Sequence, residues 1–434
     1  MMNPSRHERL RRASLGPVSA WAVVVLSLVL GPASASGQMD IEGEYGLRVT
    51  DSAGQIGVGW LTDGAHVGAL RVQVGDSVLL DVTTPAAGAH FVTFPRPTTD
   101  VAIRYGAAEG ARYETALRLG PGPPPESGEL AGVDSLFVVG DVHGEYDRLR
   151  RLLANAGLVS EDARWTGGRR HVVFLGDLFD RGADVTRTLW FLYRLEHEAR
   201  AAGGGAHVVL GNHETMVFTQ DLRYVAPKEQ LIARLQGVSY TAMFDIRTTV
   251  LGRWLAKRPG LMRIDGALLA HGGVVPEITP HAVAAVNDSV RAYLAEDLFY
   301  SWGDTTVALA TDSAVAEAVR DQYAEVIVMD SSAVARRMAL LFDERSLFWY
   351  RGYVQVDTLD AALDRTLANF DAEVHIVAHT PVPTVGSRYD GRLLAVDLEE
   401  AASEMMLLTK DARGGYRAWR AKLSGPPEPI QARD

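Results

Sequence analysis

A chain of 434 residues, 47% apolar and 22% charged, is globular and too long for one small core, so roughly two to three domains are expected. Its formal net charge of −11 repels polyanions and argues against nucleic acid as a partner. The sequence has no cysteine, which excludes disulfides and thiolate chemistry and leaves His, Asp, Glu, Asn or water as metal ligands.

Residues 1–35 have the three parts of an export signal: a basic start with Arg6, Arg9, Arg11 and Arg12, an apolar stretch from Ala20 to Leu30, and the small residues Ala33-Ser34-Ala35. The apolar run is shorter than the ~20 residues that span a bilayer, so cleavage is expected over anchoring. Ala13-Ser14-Leu15 after Arg11-Arg12 is a poor continuation for a twin-arginine signal. Losing four basic residues and one acidic residue would move the net charge from −11 to −14. The mature chain is expected to be periplasmic or secreted, with no stable membrane span.

Residues 40–119 carry strand-like runs at the spacing of a small all-β, sandwich-like domain: Gly46 to Thr50, Ile56 to Thr62, Ala69 to Val74, Ser77 to Thr83, His90 to Phe94, Val101 to Tyr105 and Tyr113 to Leu119. A Pro-rich linker, residues 120–133 with PGPPPES at Pro121 to Ser127, follows. Residues 134–425 then read as an α/β domain, a layered sheet core flanked by helices. Its strand candidates are Leu136 to Val139, Val172 to Leu175, Val208 to Leu210, Ala267 to Ala270, Val374 to Val377 and Leu393 to Val396, with helices at Tyr146 to Ala156 and Asp184 to Ala201. Two intervals, 215–262 and 276–343, read as helical insertions, including Glu229 to Leu235 and Val315 to Phe342. Placed after motif-bearing strands, they either cap a substrate pocket or bury more core.

Five short segments follow apolar strands in order: GDVHG at Gly140, GDLFDRG at Gly176, GNHE at Gly211, HGG at His271 and AHT at Ala378. Ligands of α/β sheets sit beyond the carboxyl ends of the strands, so these segments should share one rim. Asp141 and His143 can turn towards one cation, and Asp177 can bridge two through its two oxygens. Asn212, His271 and His379 complete a second ion with neutral donors. Two such ions would lower the pKa of a water and make hydroxide available for in-line attack on phosphorus. His213, fixed by Asp180, can donate a proton to the leaving oxygen, and Arg181 and Arg351 can clamp phosphate oxygens. Taken alone, Asp180-Arg181 fits a turn ion pair and Arg351 a surface residue. His375 precedes the apolar Ile376-Val377-Ala378 run and reads as structural; His171, His207 and His281 are given no role.

The ordered set resembles the calcineurin-like metallophosphoesterases, in particular their phosphoprotein phosphatase branch, and FWYRGY at Phe348 to Tyr353 is similar to the Shewanella-like group within it. The resemblance covers about residues 134–400. It implies a dinuclear centre of divalent or trivalent Mn, Fe or Zn, with Asp141, His143 and Asp177 on the first ion and Asp177, Asn212, His271 and His379 on the second. It also implies His213 with Asp180 as acid pair and Arg181 with Arg351 as phosphate clamp. No SAPNYC-like segment follows His379, so the protein substrates of the eukaryotic Ser/Thr enzymes do not carry over. The front domain only loosely resembles the fibronectin-like domains of purple acid phosphatases.

The function expected is therefore an exported, metal-dependent phosphomonoesterase acting on a phosphorylated small molecule or phosphoprotein. A nucleotide phosphoanhydride hydrolase of the symmetrical dinucleoside tetraphosphatase type is a second expectation. A third is an envelope binding protein with an inert phosphatase site. Metal identity, substrate and oligomeric state are not legible.

Overall fold

The N-terminal sheet is built on one long antiparallel ribbon. The computed structural model describes residues 24–28, 40–119, 127–278, 282–295, 339–410 and 415–431. Most of the expected export signal, residues 120–126 of the expected linker, His281 and nearly all of the expected helix Val315 to Phe342 lie outside them.

The first sheet holds β1 (Val24–Leu28), β2 (Arg48–Ser52), β3 (Gln55–Val74), β4 (Ser77–Pro95), β5 (Val101–Ala107) and β6 (Arg112–Leu117), in the order β1-β4-β3-β5-β6 with β2 also on β3. The seven short runs expected here become fewer and longer strands. Ile56 to Thr62 joins Ala69 to Val74 in β3, and Ser77 to Thr83 joins His90 to Phe94 in β4, because register shifts between Leu61/His66, Val67/Gly68 and Val72/Gln73 absorb the intervening residues. Asp63-Gly64 reads as a turn in the sequence but continues the ladder. Val24–Leu28, inside the expected signal, pairs with Ala89–Thr93 of β4, so its removal would open that edge.

This sheet is fastened to the rest of the chain. Glu44 pairs with Arg194 at 2.7 Å, Trp190 Nε1 donates to Leu47 O at 3.0 Å, and Thr50 bridges Thr249. Ile56, Val58, Trp60, Trp190, Phe244 and Leu255 belong to one continuous core. The insertion at 215–262 supplies α3 (Asn212–Phe218), α4 (Pro227–Leu235), α5 (Tyr240–Met243) and α6 (Val250–Leu255). Ile232, Ala233, Tyr240, Phe244 and Leu255 are buried, so these helices mainly extend the core. The start of α3, which carries Asn212 and His213, and the loop before α4 reach the site described below.

The α/β part contains two six-stranded sheets. One orders as β10-β9-β8-β16-β17-β18, with β8 (Ser135–Val139), β9 (His171–Phe174) and β10 (Gly205–Val208) parallel. Its other half is β16 (Glu404–Lys410), β17 (Tyr416–Lys422) and β18 (Glu428–Pro429), a hairpin and end strand beyond the last strand expected from sequence. The other sheet orders as β14-β15-β13-β12-β11-β7, from β7 (Glu129–Leu130), β11 (Leu261–Ile264), β12 (Ala267–Ala270), β13 (Val374–Val377), β14 (Gly386–Arg388) and β15 (Leu393–Ala395). Strand alternation assigns the faces. Leu136 and Val138 pack with Leu269, Ile376, Leu394 and Met406 between the sheets. Phe137 and Val139 pack outward with Leu149 of α1 (Tyr146–Asn155) and Leu189 of α2 (Val185–Ala201). Each such buried side chain is worth about 1.5–3 kcal/mol. Further helices are α7 (Val283–Ala295), α8 (Gly352–Gln355) and α9 (Asp360–Asn369). Among the described residues no helix is long and apolar enough to cross a membrane.

Candidate active site

The loops leaving β8, β9, β10, β12 and β13 meet at the rim where the two sheets end. Two glycines let them approach: a Cβ on Gly211 would lie 2.3 Å from Asp177 Oδ1, and one on Gly140 would lie 2.4 Å from Val396 O. His143, Asp177, Asp180, Arg181 and His379 all have φ between 48° and 69°, the left-handed region that costs a non-glycine residue about 1–3 kcal/mol. Packing and hydrogen bonds must offset that strain. Glu214, fully buried at the start of α3, does part of this: Oε1 accepts the N–H groups of Leu178 and Phe179 at 2.8 and 3.3 Å, and Oε2 those of Asp177 and Gly211 at 2.9 and 2.6 Å.

The six expected ligands come together and all are buried. Ligand atoms of His143, Asp177 and His213 lie within 4.8 Å of one another, as do those of Asp177, His271 and His379, so Asp177 belongs to both groups. Asp177 Oδ2 is 3.3 Å from His271 Nε2 and 4.0 Å from His143 Nε2. Asp141 Oδ2 lies 3.6 Å from His143 Nε2, and Asp141 Oδ1 accepts the His379 N–H at 3.3 Å. His143 Nδ1 donates to Phe179 O at 2.8 Å and His271 Nδ1 to Leu175 O at 2.7 Å, which leaves Nε2 of each turned inward.

The donor set fits a cation. His143 Nε2 and His379 Nε2 are buried without a hydrogen-bond partner. His271 Nε2 faces Asn212 Oδ1 at 2.9 Å, an approach of two acceptors that needs a proton or a cation between them. Hard oxygens and imidazole nitrogens in this mixture suit a divalent cation.

His213 occupies an intermediate place. Its Nδ1 meets Asp180 Oδ2 at 2.6 Å, and its Nε2 lies 3.8 Å from Asp177 Oδ2. The expected pair is thus formed, and Nε2 points into the space shared with the first ligand group. Arg351 is half-buried and donates to His379 O at 2.6 Å, whereas the Arg181 side chain is exposed and its backbone N–H donates to Tyr224 O at 2.8 Å. Among the described residues neither guanidinium forms a salt bridge, and both stay available to an anion. Nothing supports the turn ion pair between Asp180 and Arg181, since Asp180 turns to His213.

Charge coupling across the rim is strong. Burial opposes ionisation of Asp177, but His271 and His213 outweigh it and hold the carboxyl well below its usual range. Burial likewise opposes charging of His143 and His271, yet Asp141 and Asp177 push them up to about 9 and about 10. His379 goes the other way, far below 6.5, through burial and the nearby His271. His375 stays apart as expected, fully buried with Nδ1 on Leu268 O at 3.0 Å and Nε2 accepting the Val274 N–H at 3.0 Å.

Two residues at the rim escape the sequence reading. Glu214 stands inside GNHE, and its burial under four backbone donors has no local signature. Asp397, 2% exposed, is two residues past β15, the same offset as Asp141 from β8, and that offset was the available signal. Burial and the neighbouring Asp141 push its carboxyl up to about 8.

Residues 135–383 match the family described as calcineurin-like phosphoesterase. Shewanella-like protein phosphatase 2 of Arabidopsis thaliana is 42% identical over 202 residues, 37% of this chain and 52% of that protein. A symmetrical bis(5'-nucleosyl)-tetraphosphatase of Vibrio cholerae is 31% identical over 144 residues, 32% of this chain and 45% of that protein. The chain thus spans about half the length of the curated relatives it matches. A solved structure, the cold-active protein-tyrosine phosphatase of a psychrophilic Shewanella species, superposes with a TM-score of 0.65 at 25% identity, over 89% of this chain and 98% of that one. With five ordered rim segments inside a match that spans more than half its length, the chain belongs to the calcineurin-like phosphoesterases.

Proposed function

We propose that the chain is an exported phosphatase that hydrolyses phosphate monoesters at a centre of two metal ions, drawn from Mn, Fe and Zn. One observation carries the proposal: the Asp177 carboxylate is shared by both potential ligand groups. Asp141 and His143 would complete the ligands of one ion, and Asn212, His271 and His379 those of the other. When bound, such ions supply a deprotonated water near neutral pH and polarise the phosphoryl oxygen.

The chain's own groups do the rest. Arg351 and Arg181 hold the non-bridging phosphate oxygens with planar donor forks. His213, oriented by Asp180, gives its Nε2 proton to the leaving oxygen, which departs as an alcohol. Its proximity to His143 and Asp177 also suits a ligand, and the two roles separate by experiment: His213→Gln as acid keeps the metals and loses roughly 10²- to 10⁴-fold in rate.

Phosphotyrosyl protein is the substrate best supported, by likeness to the Shewanella enzyme described as a protein-tyrosine phosphatase. The three-part segment at residues 1–35 supports a periplasmic or secreted location. The mature chain, loaded with Mn, Zn or Fe in turn, should hydrolyse aryl phosphates and phosphotyrosyl peptides. Failure on every monoester would sink the proposal. The Vibrio cholerae relative favours a second reading, hydrolysis of dinucleoside tetraphosphates, and faster turnover of a dinucleotide than of any monoester would establish it instead.

A further inference from the structure

Tyr224 is 49% exposed, although its ring centroid lies only 5.5 Å from that of the buried His213, tilted by 56°. The side chain is not a free surface group. The Tyr224 backbone carbonyl oxygen accepts the Arg181 N–H at 2.8 Å, which ties this stretch of chain to the loop bearing Asp180 and the phosphate-clamp residue Arg181. Arg223 stands 5.5 Å from the ring centroid and is itself held by Asp221 through bonds of 2.8 and 2.7 Å. Val225, the next residue, is buried in the core and anchors the loop from the other end. The loop therefore holds the half-exposed ring at the mouth of the site on the His213 side.

An aromatic ring held in water beside a proton donor contributes little to folding, since half its surface stays wet. It does offer a flat apolar face where the leaving group must pass. Trp349 provides the contrast on the opposite side: it meets His379 edge-on at 5.7 Å, but is half-buried and commits its Nε1 to Leu341 O at 3.0 Å. Trp349 closes a wall, whereas Tyr224 leaves a surface to be covered.

We propose that Tyr224 is a specificity-determining residue that selects aryl over alkyl phosphate monoesters, its ring packing on the aromatic leaving group as the oxygen of that group faces His213. This rests on the phosphomonoesterase proposal and adds to it the residue that reads the substrate. The hydroxyl plays no part, so a phenylalanine should serve equally.

The test is binding of phenylphosphonate and methylphosphonate to the metal-loaded full chain by calorimetry, followed by kcat/KM for an aryl and an alkyl phosphate. An aromatic pair contributes on the scale of about threefold to tenfold in affinity. Wild type should prefer the phenyl compound by that factor, Tyr224→Ala should abolish the preference, and Tyr224→Phe should keep it. The kinetic aryl-to-alkyl ratio should fall with the alanine variant through KM. An unchanged phenyl-to-methyl ratio in Tyr224→Ala, or loss of the ratio in Tyr224→Phe, overturns the assignment. Retained binding preference without turnover of any ester would contradict the phosphatase proposal and leave Tyr224 as an aryl-binding residue.

Discussion

Glu214 Oε2 accepts the backbone N–H of Asp177 at 2.9 Å, so the residue shared by both potential ligand groups is positioned by a fully buried carboxylate. The same oxygen takes the Gly211 N–H at 2.6 Å, and Oε1 takes those of Leu178 and Phe179. One side chain thus locks the β9 and β10 loops together. Glu214→Gln would turn an NH2 group towards buried N–H donors. The expected cost is at least about 2 kcal/mol in denaturant unfolding, with weaker metal retention. A change below about 0.5 kcal/mol would contradict the locking role.

Metal uptake should release protons. In the metal-free protein burial disfavours charge on His143 and His271, but Asp141 and Asp177 raise them to about 9 and about 10, so both are protonated at pH 7. The sign follows from the raised values. Their contribution to stability is fully present below the ordinary 6.5 and is lost as the pH climbs through 9 and 10. Ligation requires neutral imidazole, so cations and protons compete. Calorimetric titration with Mn or Zn at pH 7, in buffers of different ionisation enthalpy, should report about two protons released, with affinity rising towards pH 9. Uptake without proton release would show that the histidines are already neutral.

The front sheet is expected to fold with the α/β part as one unit. Glu44 and Arg194 form a largely buried pair at 2.7 Å, and burial, only partly offset by Arg194, raises the Glu44 pKa. Arg194→Met leaves that carboxyl without its partner and should cost about 3–5 kcal/mol. Limited proteolysis should then cut between the front sheet and β8 sooner than in wild type. Equal protection would show that the contact is incidental.

Legibility from sequence varied with how local the cause was. Ala267–Ala270 and Val374–Val377 coincide with the expected strands to the residue, because each is a short run, apolar apart from His375, that stops at a motif. The meeting of the five rim segments is legible for the same reason, since ends of parallel strands share one edge. The joining of Ile56 to Thr62 with Ala69 to Val74 was hidden, because a bulged ladder and a turn use the same Gly and Asp residues. The hairpin β16–β17 carried the apolar run Met405 to Leu408 but no motif to draw attention to it. Glu214 and Tyr224 depend on which loops meet, and that is settled only in the folded chain.

Asp177 remains the residue on which the two-metal account stands. Elemental analysis of the purified protein and of Asp177→Asn, after dialysis against trace Mn, Zn and Fe, is the most direct measurement. About two ions per chain are expected in wild type and one or fewer in the variant, because the bridge loses its charge. Two ions retained by Asp177→Asn, or none held by the wild type, would contradict it.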